Sequence, residues 1–279
     1  MDRGERLPLT LDPIESAAFH FILQVERFYA SLIADANAEV DGPAEVGLGG
    51  KLLYAGELDD DGRALLVAGN IAGAASLAAT ADVAAQKRAV RDGVADFLVT
   101  SLDEALRILK NETRKRETVA VCMAAAPQAV ESEMLERGVL PDLLRPADES
   151  SEHSPFVRQG ALQIQILDLG QKPALLTWRV AAEPAQWLPR LDAVAADCLQ
   201  AEAWSARRWL RLAPRYLGRL AQDVRLMVCD RDFTEDFIEQ VRERVNRAEI
   251  GVAVEVQVSA GHTHDQHWFR PNGDSGNAG

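Results

Sequence analysis

Four groups of residues in this sequence have types and spacings suited to chemistry. Asp59, Asp60 and Asp61 are consecutive in "GELDDDGRALL". Adjacent carboxylates can hold a divalent cation that in turn bridges to a phosphate, or they can form a solvated polar turn. His262, His264 and His267, three of the five histidines, sit with Asp265 in "GHTHDQHW". Neutral imidazoles this close can ligate Zn²⁺ or Ni²⁺ if neighbouring groups orient them. Arg208, Arg211, Arg215 and Arg219 recur at helical steps opposite Leu210, Leu217 and Leu220. Such a basic face suits an anionic ligand, an acidic partner or simple ion pairing in solvent. Cys122, Cys198 and Cys229 are far apart, have apolar neighbours and form no Cys-x-x-Cys pair, which suits reduced, buried thiols. No Gly-x-Ser-x-Gly, His-Glu-x-x-His or Walker sequence occurs, so hydrolase, zinc-protease and P-loop chemistries have no support.

These residues must be carried by regular elements, and the apolar spacing shows which. Ile14, Ala17, Phe21, Val25, Phe28 and Leu32 follow steps of three and four behind an Asp12-Pro13 start, predicting a long amphipathic helix. From Lys51 the pattern becomes strand and helix in alternation. Strand-like runs at "KLLYA", "AASLAAT", "ADFLVT", "TVAVCMA" and "PDLLR" alternate with helical stretches near Arg63–Ala72, Val83–Asp92, Ser101–Lys115 and Pro127–Arg137. Strands apolar on both faces and separated by helices predict a doubly wound parallel sheet. Ser101 and Glu104 form a capping box, and Gly93 and Gly138 fall where helices should stop.

The polar stretch "RPADESSEHSPFVRQG" marks a boundary. Beyond it, "ALQIQILDL", "ALLTWRV" and "GVAVEVQV" alternate like half-exposed strands, with helices near Trp187–Ala201, Ser205–Leu220 and Thr234–Asn246 and the apolar strand "VRLMVC" between them. The fold class expected is therefore α/β, a Rossmann-like doubly wound sheet with a second, smaller α+β domain. The expected division is a helical segment over 1–46, the Rossmann-like domain over 47–158, the α+β domain over 159–260 and a flexible tail over 261–279.

A net charge of −13 repels phosphodiester backbones, so nucleic acid is not an expected partner. No apolar run approaches the ~20 residues of a membrane helix, and the N-terminus lacks a secretory pattern. The expectation is a cytoplasmic protein without a membrane partner.

The pieces "GLGGKLLYAG", "NIAGAASL", "VRDGVADFLVTSLDEAL" and "MLERGVLPDLL", in this order and spacing, resemble the central NAD-binding domain of urocanase (urocanate hydratase). The resemblance runs from about Gly47 to Leu144, with an extension to Pro155. It implies a Rossmann-like domain and, in the family, a tightly bound NAD⁺ that acts as an electrophile on the urocanate imidazole so that water can add. Several departures set this sequence apart. The family's Gly-Leu-Gly-Gly-Met-Gly-Gly loop presents backbone amides to the pyrophosphate; here the run is "ELDDDGR", where Gly62 alone is kept. The acidic residue expected at the end of the second strand is Thr80, the arginine after it is Ala85, and an Asn-Ala pair is replaced by Ala126 and Pro127. His153 and Pro155 match a further family segment if a short insertion is allowed. The segment carrying the family's catalytic cysteine is not found.

The resemblance thus leaves Gly62, Asn70 and His153 as the remaining cofactor-side residues and no catalytic residue; His262, His264 and His267 are candidate metal ligands on their own spacing. The function expected is that of a non-catalytic urocanase relative that has lost canonical NAD binding and binds a small molecule or a protein partner, including a second copy of itself as a homodimer. The alternative is an NAD-dependent, hydratase-like lyase with the cofactor in a shifted pose.

Overall fold

Residues 13–37, 47–146, 154–167, 174–260 and 263–271 are described by the structure, a computed structural model. The amphipathic N-terminal stretch forms helix α1 (Pro13–Asn37). Strands β1 (Leu52–Glu57), β2 (Ala75–Ala79), β3 (Phe97–Val99), β4 (Val119–Met123) and β5 (Leu143–Leu144) then alternate with helices α2 (Asp60–Ala72), α3 (Val83–Arg91), α4 (Leu102–Lys115) and α5 (Pro127–Glu136). The short helix α6 (Pro155–Arg158) leads to β6 (Leu162–Gln163). All six strands are parallel, in the order β3-β4-β2-β1-β5-β6. This is the doubly wound sheet expected from the alternation.

The period of two divides the sheet between two cores. Leu53, Ala55, Ala78, Ala120 and Cys122 share a core with α1 and α2. Tyr54, Leu77, Val119, Val121 and Met123 share the other with Leu102, Leu106 and Leu109 of α4 and Val130 and Met134 of α5. Small residues on the α2 side let that helix lie close to the strands. A Cβ on Gly69 would come within 2.7 Å of Ser76 Oγ and 2.9 Å of Leu53 Cδ2.

The segment "ALQIQILDL", expected to open the second domain, instead begins as β6 on the edge of the parallel sheet. Leu162 N–H donates to Asp142 O at 2.9 Å, and Ile164 N–H to Leu144 O at 3.1 Å. Alternation fixes which faces a strand presents but not which sheet it joins.

The second sheet is antiparallel, in the order β10-β9-β7-β8, from β7 (Ala174–Val180), β8 (Arg225–Cys229), β9 (Val254–Ala260) and β10 (Thr263–Phe269). Its helices are α7 (Pro184–Cys198), α8 (Trp204–Leu217) and α9 (Arg231–Asn246). Pro214 lies inside α8, and a 3-10 turn follows at Gly218–Ala221. Residues 263–269, read from the sequence as the start of a flexible tail, are paired along their length with β9. The apolar faces of this sheet and of α7, α8 and α9 join the core that contains α1 and α2, so the N-terminal helix has packing partners in both units. Among the described residues no helix is long and apolar enough to cross a membrane.

Candidate functional site

In a doubly wound sheet, ligands sit outside the carboxyl ends of the strands where the winding reverses. Here the chain moves from β1 to β2 on one side and returns to β5 on the other, so the crevice lies between the ends of β1 and β5. The residue leaving β5 is Arg145 and those leaving β1 are Leu58 and Asp59.

The three aspartates are part of the start of α2. Asp59 is its N-cap: extended backbone places the side chain so that Oδ1 accepts the Gly62 N–H at 2.8 Å. Asp60 and Asp61 fill the first turn, where the helix dipole favours negative charge. The helix therefore starts three residues earlier than Arg63, the start read from apolar spacing.

Arg145 closes this arrangement from across the crevice. Its guanidinium donates to both Asp59 oxygens, Nη1 to Oδ1 at 2.8 Å and Nη2 to Oδ2 at 3.0 Å, and Nη2 also reaches Asp61 Oδ2 at 3.1 Å. A forked, two-point contact of this kind holds a carboxylate in orientation as well as position. From α1, the Gln24 side-chain amide donates to the other Asp61 oxygen. The Arg145 side chain is 21% exposed, against 48% and 45% for its two partners. Beside the clamp is a cleft of about 280 Å³ lined by Gln24, Arg27, Phe28, Asp61, Arg145 and Ile166 among others. Arg27 is exposed and makes no ion pair among the described residues.

Gly62, the kept glycine, has a local reason to be glycine. A Cβ there would lie 2.0 Å from the Glu57 carbonyl oxygen. Asn70 is near the other end of α2, eight residues on and roughly 12 Å along the axis at 1.5 Å per residue, where its Oδ1 accepts from the Thr118 hydroxyl at 3.0 Å. The structure therefore does not bring Gly62 and Asn70 together. Thr80 is buried, with its hydroxyl accepting the Asp82 N–H at 3.2 Å and its carbonyl accepting from Gln86 at 2.8 Å. Asp82 in turn caps α3. Ala126 caps α5 with backbone alone, ahead of Pro127. His153 lies outside the described residues.

Of the metal candidates, His262 lies outside the described residues, and His264 and His267 are both on β10. An odd separation along a strand turns them to opposite faces. His264 Nδ1 is 2.8 Å from Ser259 Oγ, and the His267 ring stacks on Phe269 at 6.3 Å between centroids. Among the described residues no three His, Cys, Asp or Glu side chains are grouped to hold a metal.

The basic face of α8 contributes in part to helix ends. Arg208 Nε donates to Ile71 O at 2.6 Å, at the carboxyl end of α2, and Arg215 lies over the Tyr216 ring. Cys122 is fully buried in β4, and burial foremost, with the nearby Glu57 charge, pushes its thiol up to about 11. Arg145 and Gln24 were not identified as site residues from the sequence. A cation directly after "PDLL" was the available signal for Arg145; nothing local marks Gln24.

Residues 29–161 match the family model described as the urocanase Rossmann-like domain. The matched stretch starts within α1 and ends one residue before β6, wider at both ends than the motifs quoted above.

Proposed function

We propose that this chain, which carries a urocanase Rossmann-like domain over residues 29–161, acts by binding and not as a urocanate hydratase. The observation that carries this reading is the Asp59 carboxylate at the amino end of α2. It takes the Gly62 N–H, one of the orphan donors that would otherwise meet a phosphate, and Arg145 holds it there by two points.

These residues do not fit a dinucleotide whose pyrophosphate sits at that helix end. Arg145 pairs with Asp59 and Asp61, and Asp60 adds a third carboxylate in the same helical turn. Each carboxylate would repel a phosphate charge by roughly 1 kcal/mol at about 4 Å even with the screening of bulk water, and by more once desolvated. Gly62 is accounted for by the Glu57 carbonyl without a ligand. At the end of β2, Thr80 offers no carboxylate for a ribose, and its polar atoms serve the start of α3. In this reading the cleft beside Arg145 and Arg27 takes a small molecule or the surface of a protein partner.

The test is urocanate turnover by the purified chain with NAD⁺ supplied, together with absorbance and mass of any nucleotide released on denaturation. No turnover and no released nucleotide are expected. Turnover dependent on NAD⁺ would overturn the reading in favour of a lyase with a shifted cofactor.

A further inference from the structure

The face of α1 turned away from the Arg145 clamp carries a charged residue inside an apolar stripe. Glu26 follows Ile22 by four residues and precedes Tyr29 by three, and is 6% exposed. Its carboxyl takes a hydrogen bond from the Val228 backbone N–H. The second oxygen, Oε2, is buried and has no hydrogen-bond partner.

Val228 belongs to β8, the edge strand of the antiparallel sheet. Two positions earlier, the Leu226 carbonyl accepts the Trp209 indole N–H at 2.7 Å. In an antiparallel strand, the N–H and C=O of one residue point to the same side, and residues two apart agree. The Val228 carbonyl is therefore turned to the same outer edge as its N–H. Between α1, the start of α8 and this edge is a cleft of about 270 Å³, lined by Glu26, Tyr29, Ile33, Ser205, Trp209 and Met227 among others. Tyr29 donates its hydroxyl hydrogen to Ser205 O at 2.7 Å, and its ring lies 5.3 Å from that of Trp209.

The cleft thus has acceptors in excess, an apolar lining and two aromatic rings. Burial keeps a proton on this carboxyl up to about pH 8; once ionised, a buried carboxylate without a donor is costly, and a bound cation is what supplies one. We propose that this cleft is a binding site for a small organic ammonium ion, whose N–H groups meet the Glu26 carboxylate and the Val228 carbonyl while its apolar body lies against Ile33 and Met227. Glu26 itself lines the cleft, and the last torsion of a glutamate side chain is soft, so the carboxyl can exchange its Val228 N–H contact for a donor presented from the cleft. Aromatic rings beside an ammonium add cation–π attraction. The Glu26 charge is felt by Tyr29 on its own helix and by the Cys229 thiol on β8, while Arg208 and Arg211 on α8 act on Tyr29. Arg208 directs its Nε to the Ile71 carbonyl and does not line the cleft. The inference is independent of what happens at the nucleotide position.

The experiment is titration of the full chain with 3-methylbutylammonium, using the isosteric alcohol 3-methylbutanol as control. It is followed by calorimetry and by the Trp209 indole resonance. Saturable binding of the amine, weakened at least tenfold by Glu26→Gln and by the cleft-filling Ala30→Leu, is expected, the size following from loss of one charge-assisted hydrogen bond. Asp59→Asn, at the other site, should leave it unchanged. No saturable binding to the wild type, equal binding of amine and alcohol, or Glu26→Gln binding as well as the wild type would each overturn the proposal. Glu26→Gln keeps the side chain's shape, so its folding is checked by the Trp209 resonance before ligand is added.

Discussion

Replacing Glu26 by glutamine should stabilise the protein by an amount that grows with pH. Burial, only partly offset by the Val228 N–H, pushes the Glu26 carboxyl up to about 8 from an ordinary 4.5. Between those values the folded chain holds a proton that the unfolded chain has already released. The folded state therefore binds more protons, and stability must fall as pH rises. The slope approaches about 1.4 kcal/mol per pH unit, and across the full interval this amounts to about 5 kcal/mol, an upper figure because relaxation and water entry around a buried charge reduce it. Below the unfolded value both states are protonated and the effect vanishes; above the folded value it is constant. Glutamine keeps the shape and has no proton to lose. Urea unfolding of the two proteins at pH 5, 6.5 and 8, followed by tryptophan fluorescence, should give a stability difference that widens with pH in favour of the variant, by roughly 2–4 kcal/mol from pH 5 to pH 8. A difference that is flat over that range, or that turns against the variant as pH rises, would refute the assignment of Glu26 as a buried, disfavoured carboxylate.

Gly62→Ala should lower the urea midpoint, with a loss of about 1–3 kcal/mol for forcing a methyl against a fixed backbone carbonyl, since the Glu57 oxygen lies 2.0 Å from the new atom. Arg145→Ala should cost about 1 kcal/mol, because the Asp59 and Asp61 side chains are nearly half exposed. Arg145→Lys should not fully restore it, since an ammonium cannot make the forked contact; full rescue by lysine in the same unfolding assay would argue against the clamp. Cys122 should resist a thiol reagent in the folded chain and react only as urea unfolds it, because the thiol is sealed in β4 and held up at about 11.

The strand and helix order was legible because period and caps are local. Ser101 does cap α4, accepting the Glu104 N–H at 3.3 Å, as its spacing implied. The sheet that β6 joins is not legible, because an edge strand's alternation carries no information about its neighbour. Apolar spacing alone puts the start of α2 at Arg63, because Gly62 and the three aspartates carry no apolar signal. An aspartate three residues before a glycine on an incoming helix is also an N-cap signal, and that reading places the start correctly. What closes the site could not be read at all, since Arg145 and Asp59 are 86 positions apart. Glu26, by contrast, stood on the apolar stripe between Ile22 and Tyr29 in plain view; only its burial against β8 gave that position meaning.

The central claim, that Asp59 and Arg145 hold the place of a pyrophosphate, is tested most directly by calorimetric titration of NAD⁺ into the wild-type chain after confirming that it carries no nucleotide from purification. The account predicts no saturable binding at NAD⁺ concentrations up to about 1 mM, a ceiling near −4 kcal/mol. Binding tighter than about 100 μM, near −5.5 kcal/mol, would contradict it, and would mean that the dinucleotide either displaces the clamp or lies elsewhere in the crevice.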